Sequence, residues 1–424
     1  MPKRLKVLIS AYACEPGKGS EPEVGWQWCL QMARFHDITV LTRSNNREAI
    51  EAAVAAMPLD PAPPTFIYFD GGEFELWWKA TYKLHRLYYI WWQRAVRRII
   101  HDLCKDKQFD LLHHVTFAGY RYITGIWGHG VPCIWGPIGG MESIDRRLLP
   151  YSHLRELAIE LLRNLNNFIQ SNPTATFPVR AKQSSMTIVS THETQKCLGD
   201  WGLSSVLMPT IGLTMEDFPE RARYDVTDKR PLRLLFVGQL IWLKGVDLAI
   251  AALSQSGTDA TLQFIGSGPF RASLEKQAKK LGLGERVSFS PRIPRSQVMQ
   301  ELYNYDVFLF PSLHDSGGFA VLEAMVSGLP VICLDLGGPA ISVVDDCGFR
   351  VAAASRNKVI SEIADKIRYY DQNRDAVEAH GKNARSQVTK NYNWKHKGEE
   401  MNELYHRVCS AANLPQRANM TKTT

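Results

Sequence analysis

Two carboxylates, Asp315 and Glu323, stand on either side of a glycine turn, Ser316-Gly317-Gly318-Phe319-Ala320. An apolar run, Val307–Phe310, precedes the turn and reads as a strand, and a helix is expected to begin near Gly318 or Phe319. Glycines at a helix entrance let an anion approach bare backbone N–H groups, where the helix dipole also favours negative charge. Glu323 then lies about one turn inside the helix, where its carboxylate can hydrogen-bond a diol such as ribose. Asp315 precedes the helix and can reach a sugar on the far side of a diphosphate. The same segment reads equally well as a plain glycine turn carrying two solvated acids.

Further candidates sit at other strand ends. Gly238-Gln239-Leu240 leads through a loop to Lys244-Gly245, and Gly266-Ser267-Gly268-Pro269 follows another apolar run. Asp110-Leu111-Leu112-His113-His114 ends a strand on two histidines. Neighbours on a strand point to opposite faces, so at most one of them serves a given face; core histidines remain the alternative. Trp135-Gly136-Pro137-Ile138-Gly139-Gly140 is a strand-end glycine loop or a plain turn.

The elements that must position these residues alternate. Leu5–Ser10 reads as a strand, Gly17-Lys18-Gly19-Ser20 as a loop, the stretch through Val24, Trp26, Trp28, Leu30 and Met32 as a helix, and Ile38–Leu41 as a strand. That is a βαβ unit, which implies a parallel sheet with a right-handed crossover. More strands are expected at Phe66–Phe69, Leu111–Val115, Cys133–Trp135 and Thr187–Ser190. After a polar, proline-punctuated stretch the pattern restarts at Arg233–Val237 and continues at Thr261–Ile265, Val287–Ser290, Val307–Phe310 and Pro330–Leu334. The expected organisation is residues 1–215 as a first domain, a linker at 216–230, a second domain at 231–391, and a last helix at 392–415 that crosses back to the first. Open α/β sheets bind ligands beyond the carboxyl ends of their strands.

The chain has 424 residues, 45% hydrophobic and 22% charged, which suits two ordinary globular domains. A formal net charge of +7 suits anionic small molecules or an acidic membrane surface. Without zinc-finger spacing or a long Lys/Arg block, nucleic acid is not expected as a partner. The eight cysteines form no Cys-x-x-Cys pair, which points to reduced thiols in a cytoplasm. No signal-peptide core or membrane span is legible. There is no Asp-x-Asp or His-Glu-x-x-His, no P-loop and no Gly-x-Ser-x-Gly elbow, so neither a metal nor a cofactor is expected. The first glycine loop does not follow Gly-x-Gly-x-x-Gly, and the second strand ends at Arg43, not at an acid, which argues against a dinucleotide site.

The segment Pro311–Val331 resembles the Glu-x7-Glu signature of glycosyltransferase family 4, group 1 retaining enzymes with the GT-B fold. Asp315 stands where the first Glu usually stands, and Leu322-Glu323-Ala324-Met325 and Gly328-x-Pro330-Val331 follow the family's usual text. The loop Gly238–Gly245, the turn Gly266–Pro269, Pro339 and Asp346-Cys347-Gly348 extend the resemblance over the second half. Gly19-Ser20-Glu21 with Gly25-Trp26, the strand end at His113-His114, and Asn391-Tyr392-Asn393-Trp394 carry a weaker likeness elsewhere. The resemblance implies an α/β protein with two Rossmann-like, doubly wound domains facing a central cleft. It implies a nucleotide-sugar donor, UDP- or GDP-linked, as substrate. Donor contacts would come from Gly19, Gly238, Gln239, Lys244, Gly266, Gly268, Ile293, Asp315, Gly317, Gly318, Phe319, Ala320 and Glu323. Catalytic roles would fall to His114 or His113, Asp315 and Lys244. Gln239 departs from the family, which usually carries Arg beside Gly238.

Leu76–Ile100 is expected to form one helix with Lys79, Lys83, Arg86, Arg94 and Arg97 on one side. Trp77, Leu84, Tyr88, Trp91 and Ile99 would share the other. That pattern suits an anionic membrane surface, or an aromatic side buried on its own domain. The combined expectation is a metal-independent, retaining hexosyltransferase that acts on a glycan or lipid-linked acceptor in cell-surface polysaccharide or glycolipid synthesis. It would be cytoplasmic or peripheral on the inner face of the plasma membrane. A donor-binding protein without transfer activity and a nucleotide-sugar epimerase or hydrolase are the rival readings.

Overall fold

The computed structural model describes residues 3–58, 60–80, 84–106, 108–149, 154–170, 172, 176–219 and 230–420. Its residues group into two compact units. The first comprises Met1–Met141, Phe168–Gly212 and Trp394–Thr424, and the second Glu142–Asn167 and Leu213–Asn393. Residues 142–167 thus group with the second unit, where the sequence suggested the first. Most of the expected linker, 220–229, lies outside the described residues.

The first unit holds a seven-stranded sheet. Its strands are β1 (Lys6–Ser10), β2 (Asp37–Thr42), β3 (Thr65–Tyr68), β4 (Leu111–His114), β5 (Cys133–Ile138), β6 (Met186–Val189) and β7 (Ser205–Leu207). They lie in the order β3-β2-β1-β4-β5-β6-β7, and all pairings are parallel. The second unit holds six strands: β8 (Arg233–Val237), β9 (Thr261–Ile265), β10 (Val287–Ser290), β11 (Val307–Phe310), β12 (Val331–Leu334) and β13 (Gly348–Val351). Their order is β10-β9-β8-β11-β12-β13, again parallel throughout. Both sheets are therefore doubly wound, and the direction of winding reverses between β1 and β4 in one and between β8 and β11 in the other. The central strands β4, β11 and β12 are buried along their whole length, as strands covered by helices on both faces must be. β7 and β13 were not legible in the sequence: both are short edge strands with half-buried or exposed positions.

The helix Trp394–Met420 groups with the first unit. Trp394 sets its ring edge on Trp28 at 5.2 Å, and Lys397, fully buried, donates to the Pro209 carbonyl at 2.5 Å.

The single helix expected over 76–100 is two, Glu73–Ala80 and His85–Asp106. Tyr88, Tyr89, Trp92, Val96 and Ile100 are buried in the first unit's core, so the aromatic side of the second helix packs inward. The Lys83 backbone and the Lys79 side chain lie outside the described residues.

Candidate active site

In the second unit the loops after β8, β9, β11 and β12 are tied to one another by their backbones. Gly238 donates to Ile265 O at 3.1 Å and Leu240 to Ser267 O at 3.0 Å, joining the β8 and β9 loops. Leu313 donates to Leu243 O at 2.8 Å, joining β11 to β8, and Gly338 to Asp315 O at 2.8 Å, joining β12 to β11. Two glycines make this contact possible. A Cβ on Gly245, whose φ is +63°, would lie 1.9 Å from Pro311 O, and one on Gly266 would lie 1.8 Å from Gly238 O. Lys244 and Asp315 face each other across the β8–β11 reversal, the place where open α/β sheets bind ligands.

The Lys244 ammonium lies 2.5 Å from an Asp315 carboxylate oxygen, and the other oxygen accepts from the N–H groups of Gly317 (3.1 Å) and Gly318 (2.7 Å). Burial raises the Asp315 carboxyl, but Lys244 and the two N–H groups outweigh it and hold the group below the ordinary carboxylate range. Gly318, with φ at +71°, opens the helix Phe319–Val326. Glu323 is buried in that helix, 2.6 Å from the Arg295 guanidinium. Burial raises its carboxyl and Arg295 offsets only part of the rise. Two acids flanking one helix entrance are thereby pushed in opposite directions, the separation expected where two carboxylates have different tasks.

Other expected positions follow the strands of the same sheet. Gln239 is exposed, and Ile293 is half-buried in the loop between β10 and the helix Arg295–Glu301. Phe319 and Ala320, half-buried, form the first turn behind Gly318, and Gly268 packs under the Leu240 backbone. Arg295 was missed. In sequence it simply follows Pro294 at the start of the helix Arg295–Glu301, which says nothing of a carboxylate on another element.

Both histidines are interior to the first unit. His113 is fully buried, with Nε2 2.9 Å from Gly136 O and Nδ1 2.6 Å from the Tyr405 hydroxyl. A carbonyl only accepts, so Nε2 carries the proton and Nδ1 accepts from Tyr405. Burial pulls its pKa down to about 4. His114, also buried, has Nδ1 3.0 Å from Thr124 Oγ1, and burial together with His113 pulls it down to about 3. The strand's two faces are both covered, so alternation places each ring in a core and brings neither to the surface.

At the carboxyl ends of β1 and β2 lies a cavity of ≈ 380 Å³ lined by Tyr12, Arg43, Arg86, Tyr89, Phe117 and Tyr122, among others. The Arg43 guanidinium stacks on the Tyr12 ring at 4.2 Å and donates to Tyr12 O at 2.7 Å. Phe117 holds a left-handed backbone, φ +52°, fixed by its N–H on Glu21 (3.2 Å) and by its carbonyl, which accepts from the Tyr89 hydroxyl at 2.8 Å. Strain of this kind is held where surrounding contacts over-determine it, often at binding sites. Gly19, φ +70°, precedes the helix Ser20–Ala33 that carries Glu21. The sequence placed Arg43 at the end of a strand without assigning it a task; nothing local signals the aromatic residues gathered around it.

Among the described residues no three His, Cys, Asp or Glu side chains are grouped to hold a metal ion. No described helix is long and apolar enough to cross a membrane.

Residues 219–387 match the family described as glycosyl transferases group 1. The chain is 35% identical over 106 residues to 2-deoxystreptamine glucosyltransferase of Streptomyces kanamyceticus, covering 24% of this chain and 27% of that protein. It spans between about a quarter and a half of the length of the curated relatives it matches first. Sucrose-phosphate synthase from Thermosynechococcus elongatus superposes with a TM-score of 0.63 at 18% identity, over 96% of this chain and 100% of that one. HepE of Anabaena, solved in complex with UDP, gives 0.59 at 15% identity, over 95% and 100%. These likenesses carry the GT-B fold, two Rossmann-like domains, across the chain. Over residues 219–387 the chain is thus similar to the glycosyl transferases group 1.

Proposed function

We propose that the protein transfers a hexose from a nucleoside-diphosphate sugar to an acceptor hydroxyl with retention of anomeric configuration and without a metal ion. The observation that carries this reading is the joined set of loops at the β8–β11 reversal. There Lys244, the Gly317 and Gly318 N–H groups, Asp315 and Glu323 meet at one helix entrance. A donor diphosphate entering there takes the N–H groups and the Lys244 ammonium from Asp315. Asp315, released, accepts from a hydroxyl of the donor sugar, while Glu323 accepts from the ribose. As the glycosidic C–O bond breaks, its electron pair passes to the leaving diphosphate, where Lys244 and the helix dipole stabilise the growing charge. The acceptor oxygen bonds to the anomeric carbon on the same face, and its proton passes to the departing phosphate oxygen.

This reading gives His113 and His114 no proton-transfer role: both rings are buried and neutral. The cavity around Tyr12 and Arg43 supplies aromatic faces and a guanidinium suited to a glycan acceptor. The donor is UDP- or GDP-linked. The acceptor belongs to cell-surface polysaccharide or glycolipid synthesis, is glycan or lipid-linked, and is met in the cytoplasm at an anionic membrane. The deciding experiment incubates the protein with nucleotide sugars, with and without pooled lipid-linked and soluble acceptors, and reads the products by mass spectrometry. Acceptor-dependent release of nucleoside diphosphate supports transfer; turnover without acceptor, or binding alone, overturns it.

A further inference from the structure

The helix Leu154–Gln170 is built inside out. At 3.6 residues per turn, Leu154, Leu161, Leu162, Leu165, Phe168 and Ile169 fall within about 120° of its circumference. All six are exposed, Leu154 and Phe168 by 78% and Leu162 by 66%. The opposite face carries Glu156, Glu160, Arg163, Asn164 and Asn167, and this is the side that packs inward. Glu160 and Asn167 are buried. The Asn164 amide donates to Ile144 O at 3.2 Å and the Asn167 amide to Glu142 O at 3.3 Å, while Glu160 lies 2.6 Å from Arg163. Folding thus turns the polar face inward and leaves the leucine face exposed, a cost that an external apolar phase offsets.

We infer that this helix lies in the surface of an anionic bilayer, its axis parallel to the membrane and its leucine face among the acyl chains. The charge pattern selects this occupant. Both acids of the helix are on the inward side, and Arg155, exposed, stands beside Leu162 on the outward rim. The outward half therefore offers apolar side chains with positive and no negative charge, on a chain of net charge +7. The face is a convex strip about 25 Å long, the shape of an interfacial helix. The inference deepens the membrane part of the proposed function by naming the element that binds, and needs none of its sugar chemistry.

The experiment is co-sedimentation of the full chain with vesicles of phosphatidylcholine alone or mixed equally with phosphatidylglycerol. The wild-type chain is expected to bind the mixed vesicles, and less so with added salt. The triple variant Leu161→Gln, Leu162→Gln, Leu165→Gln should lose at least tenfold in partitioning with an unchanged melting temperature, since the altered side chains are exposed. The variant Phe74→Ser, Trp77→Ser, on the other exposed aromatic helix, should retain binding within about twofold. Undiminished binding by the triple variant overturns the inference, as does the absence of wild-type binding. A wild-type dimer that the triple variant turns into monomer does so too, because a second copy would then be the occupant. Thermal shift with nucleotide sugar, run without vesicles, tests the transfer reading separately.

Discussion

Lys244 and Asp315 are held 2.5 Å apart, one from the loop after β8 and one from the loop after β11, across the point where the sheet's winding reverses. Both are largely shielded, and a shielded ammonium is costly without a counter-charge, which Asp315 supplies. Lys244→Ala is expected to lower turnover by at least 100-fold, because a cation facing a leaving diphosphate counts most as charge develops. Asp315→Asn should raise affinity for nucleoside diphosphate alone by freeing Lys244, while lowering transfer. Calorimetric titration with UDP and GDP, set beside turnover, checks both; matching losses of affinity and turnover in Asp315→Asn would refute the exchange of partners.

Glu323→Ala should weaken donor binding and turnover by roughly 30–150-fold, the loss of about 2–3 kcal/mol of charge-assisted hydrogen bonding in a closed site. Arg295→Gln leaves Glu323 buried without its cation. That variant should raise the pH at which donor affinity falls away, since Arg295 is the group that opposes the upward pull of burial. Affinity measured from pH 5 to pH 8 for both variants and wild type distinguishes a ribose ligand from a purely structural ion pair.

Gln239 stands exposed in the loop that carries Lys244. Gln239→Arg should preserve or improve donor affinity by adding a second cation beside the diphosphate. Turnover should be unaffected by EDTA; strict dependence on added magnesium or manganese would overturn the metal-free mechanism.

Gly245→Ala places a Cβ 1.9 Å from Pro311 O at a backbone φ of +63°, so the β8 and β11 loops must part. A loss of about 2–4 kcal/mol in urea denaturation is expected, together with loss of donor binding. A stable variant with intact binding would show that the loops need not touch.

The first unit should lose stability on acidification. His113 and His114 titrate near 4 and 3 in the folded protein, against about 6.5 when unfolded. Between those values the unfolded chain binds more protons, so stability is full above pH 6.5 and falls as pH drops toward 4. Urea melts at pH 7 and pH 5 should differ by on the order of 1–3 kcal/mol, and His114→Phe should flatten the difference.

The sequence by itself determined the two doubly wound sheets, because strand-length apolar runs alternate with longer amphipathic stretches, and covered parallel strands need uninterrupted apolar text. Eleven of the strands were legible from such runs; β7, only three residues long, and β13, which opens on Gly348 and carries the exposed Arg350, were not. It also determined the glycine-bounded turn that joins Asp315 to Glu323, since a backbone that must reach φ +71° at Gly318 tolerates little else. Only the tertiary structure decided which groups face them. Arg295 meets Glu323 from an element distant in sequence, and Tyr405 closes on His113 from the last helix. Arg43 joins Tyr12 across neighbouring strand ends. The same limit governs the helix Leu154–Gln170: its periodicity fixes that one face is apolar, but periodicity is blind to direction, and only the packing of Asn164 and Asn167 turns that face outward.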